Sequence, residues 1–106
     1  MNAKNSQREQ CWVILSEWIE PRPASSLSNE QVAEMHHHFI DDLDAAGLLA
    51  GAGPFIDETG ARDGIGMVIV RAPTRVEAMT IANREPWIAN GFRTFKLKPW
   101  QRIAGH

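Results

Sequence analysis

Apolar and polar positions divide the chain into six segments, each with a strand-like or a helix-like pattern. Runs of β-branched and aromatic residues indicate strands, whereas capped segments with apolar residues three or four apart indicate helices. The predicted elements are a strand over 11–19, a helix over 28–47, strands over 48–55 and 65–71, a helix over 74–85 and a strand over 92–98.

Both predicted helices begin at a capping box. Ser28 is followed three residues later by Gln31, and Thr74 is followed by Glu77 at the same spacing, which is the pattern that satisfies the first free backbone N–H groups of a helix. Pro86 ends the second helix, because proline disfavours helical geometry at the residue before it. We predict the segment 87–91 to be a short connection to the last strand.

The order βαββαβ predicts an α+β fold of the ferredoxin-like type, with one antiparallel sheet and both helices on one face. The domain is expected to span 11–100, between a polar N-terminal tail at 1–10 and a C-terminal tail at 101–106. The first and third strands are apolar on both sides, so the second face of the sheet needs a cover. A second copy packed sheet to sheet would supply it, which predicts a homodimer, a dimeric α/β barrel.

Composition and charge narrow the classes of function. Lys and Arg number 11 and Asp and Glu 13, without a long basic run, so nucleic acid is not an expected partner. No stretch resembles a signal peptide or a membrane span, and we expect a cytoplasmic protein. Cys11 is the only cysteine and is expected to be a small buried hydrophobe. The four tryptophans either line an interface or pocket or fill the core.

His36 is the candidate centre of a functional site. It falls among the apolar positions of the first predicted helix, whereas His37 and His38 point elsewhere. The apolar positions of that face are Val32, Met35, Phe39, Ile40, Leu43 and Ala46. An imidazole there needs a polar partner, either a ligand, a side chain or a backbone carbonyl. Adjacent helical residues diverge by about 100°, so the three histidines cannot share a metal ion, and we predict no metal site.

Glu85, just before Pro86, is the candidate partner of His36. A carboxylate at the C-terminal end of a helix faces the negative end of the helix dipole, which is unfavourable unless a cation or proton donor lies nearby. We therefore hypothesise a catalytic dyad in which Glu85 orients His36 and His36 moves a proton. The alternative is a solvated helix end beside a histidine that is satisfied by a backbone carbonyl.

The segment 50–53 contains only alanine and glycine, so a ligand could approach its backbone closely. We expect Gly51, Gly53, Pro54 and Trp87 to bind the substrate. Close packing against a helix or a neighbouring strand is the alternative reason for such small residues.

Several short motifs together resemble the YciI-like, or YCII-related domain, family over about residues 11–100. They are His36, the segments 46–49 and 53–55, the run 85–92 and the segment 98–100. The resemblance implies a ferredoxin-like dimer related to muconolactone isomerases and antibiotic-biosynthesis monooxygenases, with a histidine–aspartate dyad. The family that it resembles includes dehydrochlorinases, which act on chlorinated muconolactone-type or hydroxyquinol-type products of ring degradation.

Two positions depart from that family pattern. The usual aspartate before the proline is Glu85, which keeps the charge and adds a methylene. The arginine that often lies three residues before the family histidine is Ala33, so an acidic substrate group would need another cation, such as Arg22 or Arg62.

The expected function is cofactor-independent proton transfer on a small cyclic or enolisable organic acid. The reaction would be an elimination, such as dehydrochlorination, or an isomerisation, with His36 and Glu85 as the catalytic residues. Two alternatives are a non-catalytic module that binds a metabolite or partner in the same cleft, and oxygen chemistry like that of the monooxygenases.

Overall fold

The four strands form one antiparallel sheet in the order β2–β3–β1–β4, with helices between them. This computed structural model describes residues 8–105, so positions 1–7 and 106 of the two predicted tails lie outside the described residues. The elements are β1 (Glu9–Trp18), α1 (Asn29–Ala45), β2 (Leu49–Ile56), β3 (Arg62–Arg71), α2 (Arg75–Arg84), α3 (Pro86–Ala89) and β4 (Arg93–Arg102). The predicted α+β class, the single antiparallel sheet and the β2–β3 hairpin are confirmed.

The first and last strands run further than the apolar pattern predicts. β1 begins at Glu9 and β4 ends at Arg102, and these two residues pair directly across the sheet. The Glu9 carboxylate accepts hydrogen bonds from Arg71 on β3 and from Arg102. The same contacts hold the pKa of Glu9 below its usual range. Polar cross-strand pairs therefore continue the ladder where the hydrophobic alternation ends.

Local capping sets the start of each long helix. The Ser28 hydroxyl accepts from the Gln31 backbone N–H at 3.1 Å, and the Gln31 side chain accepts from the Ser28 N–H at 2.8 Å. At α2, the Thr74 hydroxyl accepts from the Glu77 N–H at 3.2 Å, which is the first half of the predicted box. Beyond α1, Gly47 adopts a φ of 75°, a left-handed conformation that favours glycine.

The predicted connection at 87–91 is wrong in its first part, because Pro86–Ala89 forms the one-turn helix α3. Pro86 ends α2 and also occupies the first turn of α3, where the missing N–H of proline removes no hydrogen bond. The sequence rule that places a helix end before proline also permits a new helix to start there.

The core lies between the helices and one face of the sheet. It contains Trp12, Ile14, Leu43, Val68, Val70, Ala72, Ala78, Ala82 and Leu97. The indole N–H of Trp12 donates to the Ala72 carbonyl at 3.1 Å, so this buried tryptophan is fully satisfied. The predicted apolar stripe of α1 is narrower than expected, since Met35 is 43% exposed and Ala46 is also exposed.

The opposite face of the sheet, here called the outer face, carries apolar side chains of the two central strands. Val13 and Leu15 of β1 and Met67 and Ile69 of β3 are only partly buried there, in register across the strand pair. Within residues 8–105, no helix has the length and apolar character needed to cross a membrane.

We predict that Ser28→Ala lowers the free energy of unfolding by about 1 kcal/mol, because α1 loses its N-cap hydrogen bond. Urea denaturation measures this, with Ser26→Ala as the matched control in the exposed loop before the helix. Equal stability of the two variants would show that the cap does not stabilise α1.

Candidate active site

A cleft of about 770 Å³ opens between α1, α3 and the β2–β3 side of the sheet. Its lining includes His36 from α1, Glu85 at the α2–α3 junction and residues of β1, β2, β3 and β4. The two hypothesised catalytic residues, His36 and Glu85, therefore lie in the same cleft.

His36 and Glu85 are in direct contact across 49 residues of sequence. The His36 Nδ1 lies 2.6 Å from the Glu85 Oε2, within the range of a charge-assisted hydrogen bond. The partner of the imidazole is therefore this carboxylate. The contact is observed, whereas the catalytic role of the two residues stays a prediction.

Glu85 is held by the backbone as well as by His36. The residue is only 3% exposed, and its Oε1 accepts a hydrogen bond from the Ile88 N–H at 3.1 Å. The side chain thus caps the N-terminus of α3. Glu85 therefore lies at the unfavourable C-terminal end of α2, as the sequence predicts, and also at the favourable N-terminal end of α3. Burying a carboxylate is costly unless its oxygens are bonded, and both oxygens of Glu85 have a partner.

This contact defines which His36 nitrogen is available for chemistry. An ionised carboxylate only accepts hydrogen bonds, so we assign the shared hydrogen to Nδ1, which leaves the Nε2 lone pair of the neutral ring free. The His36 side chain is 28% exposed and lines the cleft. A proton of a bound molecule can therefore reach this ring.

Of the two neighbouring histidines, His37 also lines the cleft, contrary to the expectation that it points elsewhere. His38 lies 3.9 Å from Glu34 on the exposed surface of α1. Among residues 8–105, no group of three or more His, Cys, Asp or Glu side chains is close enough to hold a metal ion.

Three of the four predicted substrate-binding residues line the cleft, namely Gly53, Pro54 and Trp87. Gly51, which pairs with Ile69 after a register shift beyond Leu49, is not among the lining residues. A Cβ atom built on Gly51 or Gly53 would meet no atom within 4 Å. Close packing within this chain therefore does not explain these two glycines.

Aromatic rings form the cleft wall nearest α3. Trp87 contacts Trp18 edge to face with ring centroids 5.0 Å apart, and contacts Phe92 at 5.6 Å. Trp18 was not singled out by the sequence, although it lies on the same strand face as the core residues Trp12 and Ile14. The tryptophans thus divide between the core (Trp12) and the cleft (Trp18 and Trp87), while Trp100 is 41% exposed.

Arg93 is a second cleft residue that the sequence analysis missed. It lies opposite Trp18 at the start of β4, and burial lowers the pKa of its guanidinium. The alternation of Phe95 and Leu97 on the core face, extended backwards by two residues, would have found it. Of the two cations suggested by the sequence, Arg62 lines the cleft and Arg22 is not among its lining residues.

The fold and the site together define a ferredoxin-like α+β domain with a histidine–carboxylate pair in a cleft beside the sheet. The chain belongs to the YCII-related domain family, which it matches over residues 13–101. An uncharacterised protein of Bacillus subtilis, YjpA, is 32% identical over 73 residues, which are 69% of this chain and 80% of that protein.

A solved structure supports the fold assignment. The 5-chloro-2-hydroxyhydroquinone dehydrochlorinase TftG of Burkholderia phenoliruptrix, in complex with 2,5-dihydroxybenzoquinone, superimposes with a TM-score of 0.61. The match covers 85% of this chain and 92% of that one at 16% sequence identity. It shows that this chain shares the fold of that enzyme.

We predict that the neutral His36 ring carries its hydrogen on Nδ1, because the Glu85 carboxylate accepts it. The ¹⁵N chemical shifts of the imidazole report the tautomer directly, and Glu85→Ala should move the hydrogen to Nε2. Glu34→Gln, which removes a surface carboxylate beside His38, is the control and should leave the His36 spectrum unchanged. An Nε2–H tautomer in the wild-type protein would contradict the assigned donor.

Proposed function

We propose that this protein is a cofactor-independent enzyme that catalyses proton transfer, with His36 as the general acid or base and Glu85 as the residue that orients it. The single observation that supports this most strongly is the 2.6 Å contact between the two side chains in an open cleft. A fixed imidazole with one free nitrogen is suited to moving a proton, and the orienting carboxylate favours the protonated ring that forms during the reaction.

For an elimination, His36 Nε2 takes a proton from the substrate and the released electron pair forms a new double bond. The leaving group, chloride in a dehydrochlorination, departs with the electrons of the bond that breaks. The protonated ring then returns its proton to water. For an isomerisation, His36 returns the proton to a different atom of the substrate instead.

The proposed substrate is a small cyclic or enolisable organic acid. The cleft combines an aromatic wall, formed by Trp18 and Trp87, with the open backbone of β2 at Gly53 and Pro54. A flat ring fits between such surfaces. TftG binds 2,5-dihydroxybenzoquinone, and we propose that a planar acidic ring of this kind occupies the cleft here.

We predict that His36→Gln lowers kcat/KM by about 10²- to 10⁴-fold, the usual contribution of a positioned acid or base. Glu85→Gln should lose activity over a similar range of about 10²- to 10⁴-fold, because an amide can donate to Nδ1 and favour the wrong tautomer. Chloride release from chlorinated hydroxyhydroquinones measures elimination, and solvent deuterium uptake into candidate organic acids measures isomerisation.

His38→Gln is the matched control for these variants, because it removes an exposed histidine of the same helix. Its activity should equal that of the wild type. Saturable binding without any product would instead favour a metabolite-binding module, and oxygen uptake would favour a monooxygenase-like reaction. Full activity of a folded His36→Gln variant would refute the proposed mechanism.

We also propose that two copies pair through the outer face of their sheets to form a dimeric α/β barrel. Val13, Leu15, Met67 and Ile69 make this face apolar at its centre, which is typical of a surface that a partner covers. Lys96 and Lys98 on the adjoining strand β4 are exposed and would provide a polar rim.

We predict that light scattering after size exclusion gives twice the mass of one chain for the wild type. Leu15→Glu should give monomers, because each interface would bury two unpaired carboxylates. Val76→Glu, at a position 75% exposed on α2, adds the same charge away from the sheet and should remain dimeric. A monomeric wild-type protein at micromolar concentration would overturn the proposed pairing.

A further inference from the structure

Arg93 occupies an unusual position for a surface-strand arginine. Its Nε donates to the Ser16 hydroxyl at 2.9 Å, and its Nη2 donates to the carbonyls of Ser16 and Gly64 at 2.8 and 2.6 Å. Its guanidinium also stacks over the Trp18 ring at 4.3 Å. One edge of the group is thus locked against the sheet, and its orientation is fixed.

The other edge of the guanidinium is left unused. Within residues 8–105, Nη1 of Arg93 has no hydrogen-bond acceptor, and it is not among the buried unpaired nitrogens. The residue lines the cleft, and Nη1 keeps solvent-accessible surface with its N–H donors unused.

No carboxylate neutralises Arg93 at close range. The ion pairs of the described residues, taken to 4.0 Å, do not include it. A second guanidinium, that of Arg22, lies 4.0 Å from the same Trp18 ring. Glu85 and Glu17 act on Arg93 only at longer range, so its guanidinium has no directly paired anion and can pair with an anionic ligand.

We propose that Arg93 is the anion-binding residue of the cleft, and that its Nη1 edge binds an oxyanion of the substrate. The oxyanion is a carboxylate or an ionised ring oxygen, whose planar geometry matches the guanidinium edge. The inference rests on the proposed function, since it assigns a substrate group to that same cleft, and it specifies a substrate that is anionic.

Arg93 is better suited to this role than either cation suggested by the sequence. Arg62 lines the cleft but is an exposed residue at the start of β3, so ordering its side chain would cost conformational entropy. Arg22 is exposed in the loop after β1 and is not a lining residue. Arg93 is already ordered and partly desolvated, so binding an anion requires little rearrangement.

The test compares two probes that share a planar quinone ring and differ in whether they ionise. 2,5-Dihydroxybenzoquinone is a vinylogous acid that loses its hydroxyl protons in neutral solution, whereas 2,5-dimethoxybenzoquinone cannot ionise. Isothermal titration calorimetry of the full chain should show tighter binding of the dihydroxy probe. Arg93→Gln should weaken that binding by about 10-fold or more, the usual effect of losing a charge-assisted hydrogen bond, and leave the dimethoxy probe unaffected.

Two further variants separate Arg93 from its neighbours. Arg22→Gln removes the same charge from the same tryptophan outside the cleft and should change the affinity less than about 2-fold. Arg62→Gln should behave likewise, so a larger loss in Arg62→Gln than in Arg93→Gln would overturn the assignment. Equal affinity of wild type and Arg93→Gln, or no preference of the wild type for the dihydroxy probe, would also overturn it.

Arg93 also links Ser16 to Gly64, so its replacement could perturb the fold. The wild-type protein supplies a measurement that avoids this. With ¹⁵N-labelled arginine, the Arg93 Nε–H resonance should shift on addition of the dihydroxy probe and stay in place with the dimethoxy probe. Because these readouts measure binding, a protein that binds the anion through Arg93 and shows no turnover would refute the proposed enzyme while supporting this assignment.

Discussion

The buried carboxylate of Glu85 is the constraint on which the site depends. A carboxylate removed from water needs hydrogen-bond donors on both oxygens, or it must become protonated. In this fold the donors come from two different elements, the Ile88 N–H of α3 and the His36 ring of α1. Satisfying one side chain therefore fixes how the first helix lies against the short third helix.

The strands of the sheet supply the cleft wall that lies opposite His36 and Glu85. Trp18 and Arg93 lie opposite each other on β1 and β4, and their side chains stack on the same face. The Gly64 carbonyl accepts a hydrogen bond from Arg93. Gly64 has a φ of 94°, a backbone conformation that favours glycine. A proton-transfer group on the helices thus faces an aromatic and cationic wall on the strands.

Family membership and fold similarity carry different weight for this protein. The YCII-related domain match covers residues 13–101 and establishes the family. The similarity to the dehydrochlorinase is structural, at 16% identity, and supports the fold. The chemistry proposed here therefore depends on the contact between His36 and Glu85, and on the cleft around it.

The sequence by itself determined the order of the four strands and the two long helices, the helix starts at Ser28 and Thr74, and His36 with Glu85 as the candidate catalytic pair. These features are local, because capping and side-chain periodicity act within a few residues. Only the tertiary structure decided that His36 and Glu85 touch, that Pro86 starts a new helical turn, that Gly51 lies outside the cleft and that Arg93 lines it. Those outcomes depend on strand register and on the packing of distant elements, and a single sequence does not encode either of them in a short-range pattern.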